Sequence, residues 1–349
     1  MKQIICLNSH EKPVTGGHKY NNAFKAHLEK LSGIKATVSY RNKTRGWKKI
    51  ISPLVELKSL KYFNKETLVI FGDTSFKHHF LLAIFNKWFK KAKSTIVVHH
   101  FPFLEQTGML SKIDKWLMCK YVSYMDSIVV PSPFTHDVAK SLFPQKSIYY
   151  IPLPFERKYI KSEKYEEGNL LYVGTIEERK GLSYLVEAIS LLDNKTNINL
   201  NIIGKIVDQS YFAMLRQKIH DLELENNIHF LGRVSDEELE ECYKKAEIFT
   251  FPSLLEGYGI VLIEAFNNGL PIICFDNTAM PYTVKDNVNG LIAKNKDAKD
   301  MASKIQQLTG NHELREKLQK GIQETVMNLK TIDDFEKGIV FFYKQINLS

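Results

Sequence analysis

The chain has 349 residues, of which 44% are apolar and 25% are charged, a composition typical of a globular protein with more than one domain. No apolar run approaches the ~20 residues that a membrane-spanning helix needs, and the run within Met1 to Asn8 is too short for a signal-peptide core. The 4 cysteines are scattered without the spacing of metal ligands, which indicates ordinary thiols in a reducing cytosol.

The formal net charge of +9 is distributed unevenly along the chain. Residues 1–156 contain 24 Lys+Arg against 10 Asp+Glu, a net charge of +14, whereas the remaining residues carry a net charge of −5. This asymmetry predicts an N-terminal domain that faces something anionic, either a membrane surface or a polyanion.

Short apolar runs alternate with helix-length segments, the pattern of parallel sheets with crossover helices. Pro152-Leu153-Pro154 interrupts this series, and the charged stretch from Glu156 to Gly168 predicts a linker. The alternation then begins again, so we expect an α/β protein of two Rossmann-like domains with ligands at the carboxyl ends of the strands. The predicted strands are Gln3–Leu7, Ala36–Tyr40, Leu68–Phe71, Thr95–His99, Ser127–Val130, Ser147–Ile151, Leu170–Val173, Leu200–Ile203, Ile228–Leu231, Ile248–Phe251 and Ile272–Phe275.

Two short motifs in the first half are candidates for ligand binding. Gly16-Gly17 follows the first strand and leads into a helix, where adjacent glycines let backbone N–H groups approach an anion. The same pair is equally typical of a plain turn. His99 and His100 end the fourth predicted strand, and a histidine pair at that end of a strand points toward a ligand cleft.

Basic residues are interleaved with aromatic residues in two places in the first half. Such segments suit a surface that enters lipid headgroups, although a solvated basic face explains them equally well. No recognised nucleic-acid-binding module is present, so we expect no nucleic-acid partner. The two segments are Arg41, Lys43, Arg45, Lys48 and Lys49 around Trp47, and Lys87, Lys90, Lys91 and Lys93 around Trp88 and Phe89.

In the second half, Arg179-Lys180-Gly181 follows a strand and precedes a helix. Cations are disfavoured at the start of a helix, and an anion bound between them would remove that conflict. Ser235 and Glu238 have the spacing of a capping box, which predicts another helix start just after Arg233 and Val234.

The stretch Phe251 to Phe266 has the strongest functional pattern in the chain. A strand ends at Pro252, a loop with Gly257 and Gly259 follows, and an apolar helix runs on with Glu264 as its one carboxylate. Such a carboxylate is costly unless something pairs with it, either a neighbouring group or a ligand. Glu256 and Glu264 around a glycine-opened helix start predict a site for a ligand that is part sugar and part phosphate.

Glu256 and Glu264 bracket seven residues with Gly257 and Gly259 between them, and this Glu-x7-Glu pattern closely resembles the motif of family 4 glycosyltransferases of the GT-B fold. The resemblance extends to Pro252-Ser253 before it and to Asn268 to Ile273 after it. It implies two Rossmann-like domains that face each other across a central cleft. Residues 1–156 with a C-terminal helix at 333–349 would form an acceptor domain, and residues 157–332 a nucleotide-sugar donor domain.

The resemblance also implies roles for individual residues. Glu264 would hold the ribose hydroxyls, Glu256 the hydroxyls of the donor sugar, and His99, or else His100, the sugar near the reacting centre. The family's usual arginine position is Thr175 here, for which Arg179 is a possible replacement, and Tyr282 stands where the family often has glutamate. The implied catalytic residues are His99, Lys180 and Glu256, and the implied donor-binding residues are Gly16, Gly17, Arg179, Lys180, Arg233, Val234, Glu256, Gly257, Tyr258, Gly259, Ile260 and Glu264.

The implied activity is transfer of a hexose, with retention of anomeric configuration, from a UDP or GDP sugar to a hydroxyl of a lipid-linked or saccharide acceptor. No Asp-x-Asp pattern occurs, so we expect no metal and no cofactor besides the donor. The basic first half predicts a cytoplasmic protein bound peripherally to the inner face of the plasma membrane. Two alternatives stay open: a sugar-nucleotide isomerase of the same fold, and a non-catalytic nucleotide-sugar-binding module, which Thr175 and Tyr282 would favour.

Overall fold

The computed structural model describes residues 1–7, 16–38, 57–74, 76–104, 109–160, 165–193 and 197–348. Contacts divide the chain into two compact units, Met1–Glu156 together with Lys330–Ser349, and Arg157–Leu329. The predicted divisions lie after residue 156 and at residue 333, and the acceptor and donor roles of these domains stay predictions. Within the described ranges, no helix is both long and apolar enough to cross a membrane.

The first unit is built on a parallel sheet of six strands in the order β2-β1-β3-β4-β5-β6. Its strands are β1 (Gln3–Cys6), β2 (Thr37–Val38), β3 (Thr67–Gly72), β4 (Lys93–Val97), β5 (Ser127–Val130) and β6 (Ser147–Tyr150). Its α-helices are α1 (Gly16–Ser32), α2 (Phe76–Phe85), α3 (Met109–Ser123), α4 (Pro133–Leu142) and the last helix of the chain, α12 (Ile332–Leu348).

The second unit has a parallel sheet of six strands in the order β12-β11-β10-β7-β8-β9. Its strands are β7 (Asn169–Val173), β8 (Asn199–Ile203), β9 (Ile228–Gly232), β10 (Ile248–Phe251), β11 (Ile272–Phe275) and β12 (Gly290–Ala293). Its α-helices are α5 (Leu182–Ser190), α6 (Gln209–Asp221), α7 (Asp236–Lys245), α8 (Ile260–Asn267), α9 (Met280–Thr283), α10 (Ala298–Leu308) and α11 (His312–Asn328).

Continuous apolar strands explain why both sheets are covered by helices. Every residue of β3, β5, β10 and β11 is buried, as expected for parallel strands with helices on both faces. The predicted α/β class is therefore confirmed. β12 was missed, and the part of the second predicted strand beyond Val38 lies outside the described residues.

The last helix packs on the first unit through aromatic side chains. Phe335 lies edge-on to Tyr20 with ring centroids 5.7 Å apart, and Phe342 lies 5.6 Å from Phe24 and 5.1 Å from Tyr149. These rings are large apolar groups whose burial anchors α12 to α1 and β6.

In each sheet there is one pair of neighbouring strands from which the chain adds later strands outward in opposite directions. In the second unit this pair is β7 and β10, and in the first it is β1 and β3. Crossover helices leave opposite faces of the sheet on either side of such a point, so a crevice opens at the carboxyl ends of the two strands. These two switch points are where ligand-binding residues are expected.

Candidate active site

Three loops meet at the switch point of the second unit, after β7, β10 and β11. The backbone N–H of Leu254 donates to the carbonyl of Arg179 at 2.9 Å, which joins the first two loops. The side-chain amide of Asn277 donates to the carbonyl of Ser253 at 3.0 Å, which joins the third loop to the second. The segments that carry the predicted diphosphate and sugar residues are thus bonded into one surface.

Gly181 permits the close approach of the first two loops. It has φ +67°, and a Cβ at this position would lie 2.1 Å from the carbonyl oxygen of Pro252. Only glycine combines this backbone conformation with so little space. The glycine therefore sets the spacing between the loops that carry Lys180 and Glu256.

Lys180 is buried, and its ammonium donates to Oε1 of Glu256. The same ammonium lies 5.1 Å from the ring centroid of Phe251, a favourable cation–π position. The hydroxyl of Ser253 also donates to Glu256 Oε1, at 3.1 Å. Every hydrogen bond described for the Glu256 carboxylate thus ends on Oε1.

Arg179 lies beside this pair and has carboxylate partners of its own. Its Nη2 donates to Glu177 Oε1 at 2.8 Å, and its Nη1 donates to the Leu255 carbonyl at 3.0 Å and lies 3.7 Å from Glu256 Oε1. The hydroxyl of Thr175, at the family's arginine position, donates to the same Glu177 oxygen at 2.6 Å. A bound anion between Arg179 and Lys180 is not needed to balance their charges, because the carboxylates of Glu177 and Glu256 already do so.

Helix α8 begins beside these cations without a side-chain cap. Its N-cap residue is Gly259, with φ +79°, and no acidic residue stands in its first turn. Gly257 and Tyr258 form the preceding loop, and Ile260 is the first helical residue. The positive end of the helix dipole therefore points at the switch point, a favourable environment for a phosphate.

Glu264 lies one turn into α8 and has a neighbour from α7. The hydroxyl of Tyr243 donates to Glu264 Oε2 at 3.2 Å, and burial together with this carboxylate raises the pKa of Tyr243 well above its ordinary value. Tyr243 therefore stays a protonated donor. The sequence left open whether Glu264 pairs with a neighbouring group or with a ligand. The structure shows a neighbouring group, the Tyr243 hydroxyl.

Glu264 and Tyr243 also face a cavity of ≈ 230 Å³. Asp236, the first residue of α7, lines the same cavity. The predicted capping box of that helix is present, with Ser235 Oγ accepting from the Glu238 N–H at 3.2 Å. Arg233 is exposed and Val234 partly buried in the turn between β9 and α7, close in sequence to the cavity wall.

In the first unit, the predicted residues Gly17 and His99 are in contact. A Cβ on Gly17 would lie 3.3 Å from the His99 ring, and His99 Nε2 lies 2.9 Å from Asn21 Oδ1. Gly16 and Gly17 are the first two residues of α1. Burial lowers the pKa of His99 despite the opposing charge of Asp73, so this imidazole favours its neutral form.

Asp73 is a buried residue of this cluster that the sequence analysis missed. It follows β3, and Oδ2 accepts the backbone N–H of His99 at 2.8 Å and of His100 at 3.3 Å. Oδ1 accepts the Thr74 N–H at 2.7 Å. The available signal was a polar residue at the carboxyl end of an apolar strand, in the sequence Phe71-Gly72-Asp73.

Residues 155–325 match the family described as glycosyl transferases group 1. The second unit belongs to this family. The match covers nearly all of the second unit and includes every predicted donor-binding residue except Gly16 and Gly17. Group 1 is compatible with the predicted family 4, which itself stays a prediction.

A named relative agrees with the family match. O-antigen chain mannosyltransferase B of Escherichia coli is 32% identical over 157 residues, which are 44% of this chain. The chain spans 41% of the length of that curated relative.

Solved structures resemble the whole chain. Sucrose-phosphate synthase from Thermosynechococcus elongatus has a TM-score of 0.78 at 17% identity, over 100% of both chains. Anabaena HepE in complex with UDP and glucose has a TM-score of 0.73 at 16% identity, over 99% of this chain and 100% of that one. These likenesses confirm the predicted GT-B fold.

Proposed function

We propose that the protein is a retaining glycosyltransferase that moves a hexose from a nucleotide diphosphate sugar to a hydroxyl acceptor. The observation that carries this proposal is the cluster of Lys180, Arg179 and Glu256 beside the uncapped start of α8, within the group 1 unit. Cations and helix N–H groups suit a diphosphate, while a carboxylate suits sugar hydroxyls.

Stabilising the departing diphosphate is the main electrostatic task in such a transfer. Negative charge grows on the leaving oxygen as the glycosidic bond breaks, and donors already in place stabilise it without reorganising. Lys180, Arg179 and the N-terminal amides of α8 provide these donors. Lys180 is held in place by Glu256 before the donor arrives, so little side-chain entropy remains to be lost when the diphosphate binds.

Glu256 then serves two partners. Its Oε1 accepts from Lys180 and Ser253, which leaves Oε2 to accept from a hydroxyl of the donor sugar. Gly257 and Tyr258 continue the loop along the same ligand. Glu264, fixed by Tyr243, would bind the ribose hydroxyls in the ≈ 230 Å³ cavity, with the backbone of Arg233 and Val234 near the base.

His99 is the first unit's contribution to the reaction. Its neutral ring, held by Asn21 and adjacent to Gly17, would accept or donate a hydrogen bond to the sugar near the transferred carbon. Gly16 and Gly17 would bring backbone N–H groups of α1 to the diphosphate or the acceptor. His100 remains the alternative. Asp73 accepts a hydrogen bond from the backbone N–H of each histidine, so the backbone of both is fixed at the same place.

For the substrates, we propose a UDP or GDP sugar and a growing polysaccharide or its lipid-linked precursor. The relative's name, O-antigen chain mannosyltransferase B, and the UDP and glucose named with HepE support these classes. The lack of Asp-x-Asp supports transfer without metal or cofactor. The net charge of +14 over residues 1–156 supports peripheral binding at a cytoplasmic membrane face.

A thermal-shift screen with UDP, GDP and ADP sugars tests the donor site. One nucleotide class should stabilise the wild type, while Lys180→Ala and Glu264→Ala should lose that stabilisation. Lys317→Ala, an exposed lysine of the same unit, is the matched control and should keep it. A wild type that none of the sugars stabilises would contradict the donor assignment.

A turnover assay with the identified donor and a lipid extract separates the alternatives. Transfer gives free nucleotide diphosphate and a glycosylated acceptor, and NMR of the new anomeric centre should show the donor's configuration. Conversion of the donor without acceptor would support an isomerase. Donor binding without consumption would support a binding module.

A further inference from the structure

A compact aromatic cluster lies exposed where α2 ends. Trp88 and Phe89 are 68% and 72% exposed, and Phe85, 5.6 Å from Phe89 between ring centroids, is also exposed. Single exposed apolar residues are ordinary on protein surfaces, whereas contiguous exposed aromatics mark an interaction site. The other basic-aromatic segment of the sequence, residues 41–49, lies outside the described residues.

Helix α3 carries a second exposed apolar strip that the sequence analysis did not single out. Ile113 and Trp116 are three residues apart on one helical face, and Trp116 is 63% exposed. Lys120 continues the same face one turn later. Leu104, just before this helix, is also exposed.

The two apolar regions lie on the same side of the first unit. Helices α2 and α3 pack on each other, with the rings of Phe80 and Tyr121 stacked at 6.2 Å and Lys77 paired with Asp114 at 2.8 Å. Both helices bury their inner residues in one hydrophobic core with β3 and β4. Their outer faces therefore point away from the sheet in the same general direction.

Lysines surround these apolar groups. Residues 76–93 include no acidic residue, and among the described residues nearby Asp114 is paired with Lys77 and Asp126 with Lys87. Interfaces between proteins are depleted in lysine, whereas an anionic bilayer attracts it. The lysines assigned to this surface are the exposed Lys87, Lys90, Lys91, Lys112, Lys115 and Lys120.

We propose that this aromatic–lysine surface, formed by Phe85, Trp88, Phe89, Ile113, Trp116 and the six exposed lysines, docks on anionic lipid. Tryptophan and phenylalanine enter the headgroup boundary, and lysines keep their ammonium groups at the lipid phosphates. The inference deepens the proposed function, because it names the surface that would bring the enzyme to a lipid-linked acceptor. It does not depend on turnover.

Tryptophan fluorescence tests the proposal directly, since two of the chain's three tryptophans lie on this surface. A Trp47→Phe variant leaves Trp88 and Trp116 as the reporters. Vesicles of equal parts phosphatidylcholine and phosphatidylglycerol should shift the emission to the blue, and brominated acyl chains should quench it. Phosphatidylcholine alone should do neither. Binding without any quenching would overturn the proposal.

Variants separate this surface from charge in general. Replacing Lys90, Lys91 and Lys112 with glutamine should weaken vesicle binding by about a hundredfold, since each lysine near an anionic surface contributes a factor of about five. Trp88→Ser with Trp116→Ser should also weaken it. The matched control replaces three exposed lysines of the second unit, Lys299, Lys317 and Lys320, and should bind normally.

Other outcomes distinguish a failure of lipid docking from a failure of the proposed function. If the control and the surface variants lost vesicle binding equally, the binding would depend only on net charge, and the docking proposal would be overturned. Dimerisation without lipid, abolished by the tryptophan changes, would assign the surface to a second copy instead. Thermal stabilisation by the donor sugar should be unchanged in the surface variants, so failure of donor binding in the wild type leaves the lipid result interpretable.

Discussion

Lys180 and Glu256 form a part-buried ion pair across the switch point of the second unit, although they are 76 residues apart in the chain. The pair joins the loop after β7 to the loop after β10. Burying either charge alone would be costly, so each side chain stabilises the position of the other. The proposed site for a diphosphate and a sugar is thereby formed before a ligand binds.

Removing one member of this pair should destabilise the protein and abolish donor binding. Glu256→Gln leaves a buried ammonium without its carboxylate, and we expect a loss of about 3 kcal/mol in the free energy of unfolding. Urea unfolding measures this loss, and thermal shift with the donor measures the binding. Lys180→Met should give a loss of similar size.

The double variant Lys180→Met with Glu256→Gln supplies the control for that pair. Because neither charge remains unpaired, its stability should exceed the value expected from adding the two single losses. Its donor binding should stay abolished. Additive losses would show that the two side chains act independently, against the paired geometry.

Gly181→Ala should disturb the site more than an ordinary glycine substitution. The new Cβ would meet the Pro252 carbonyl oxygen at 2.1 Å in a left-handed conformation, so the β10 loop must move. We expect a loss of about 3 kcal/mol in stability and weaker donor binding. Gly310→Ala is the control, since its φ is +65° with nothing within 4 Å, and it should lose only about 1 kcal/mol. Equal losses would contradict the proposed contact.

The alternation of apolar runs was enough to predict the α/β class and most strands, because buried parallel strands leave a continuous apolar signal. β12 was missed because it begins at Gly290, directly after a polar turn. Strand order was not predicted at all. It depends on which crossover packs on which face, and no local pattern encodes that choice.

The sequence identified the acids and cations of the candidate site but not their pairing. The Glu-x7-Glu spacing singled out Glu256 and Glu264, yet the partners Lys180 and Tyr243 come from distant positions that only the fold brings close. Asp73 was missed for a related reason. A single carboxylate after a strand has no periodicity, and its three backbone donors belong to two different segments.

Tyr243→Phe should weaken donor binding through Glu264. The phenol hydroxyl donates to Glu264 Oε2 at 3.2 Å and holds that carboxylate in place. Losing this hydrogen bond should weaken the binding free energy by about 1 kcal/mol, which is roughly a fivefold rise in Kd. Calorimetry with the nucleotide diphosphate measures this change. In a Glu264→Gln background the same substitution should have little further effect. An unchanged Kd for Tyr243→Phe in the wild-type background would exclude this positioning role.

His99 should make the first unit sensitive to acid. Burial lowers its native pKa, whereas the unfolded chain titrates near ~6.5, so the unfolded state takes up a proton first as pH falls. The stabilisation is complete above the pKa of the unfolded chain and is lost as pH falls toward the native pKa, by about 1.4 kcal/mol for each pH unit that separates the two pKa values. His99→Gln should therefore show a flatter decline in urea midpoint between neutral and mildly acidic pH. His220→Gln is the control, because the hydrogen bond to Glu225 raises the pKa of His220 and its removal should steepen the decline instead. Parallel profiles for wild type and His99→Gln would show that this imidazole titrates alike in both states, against the neutral ring on which its proposed role rests.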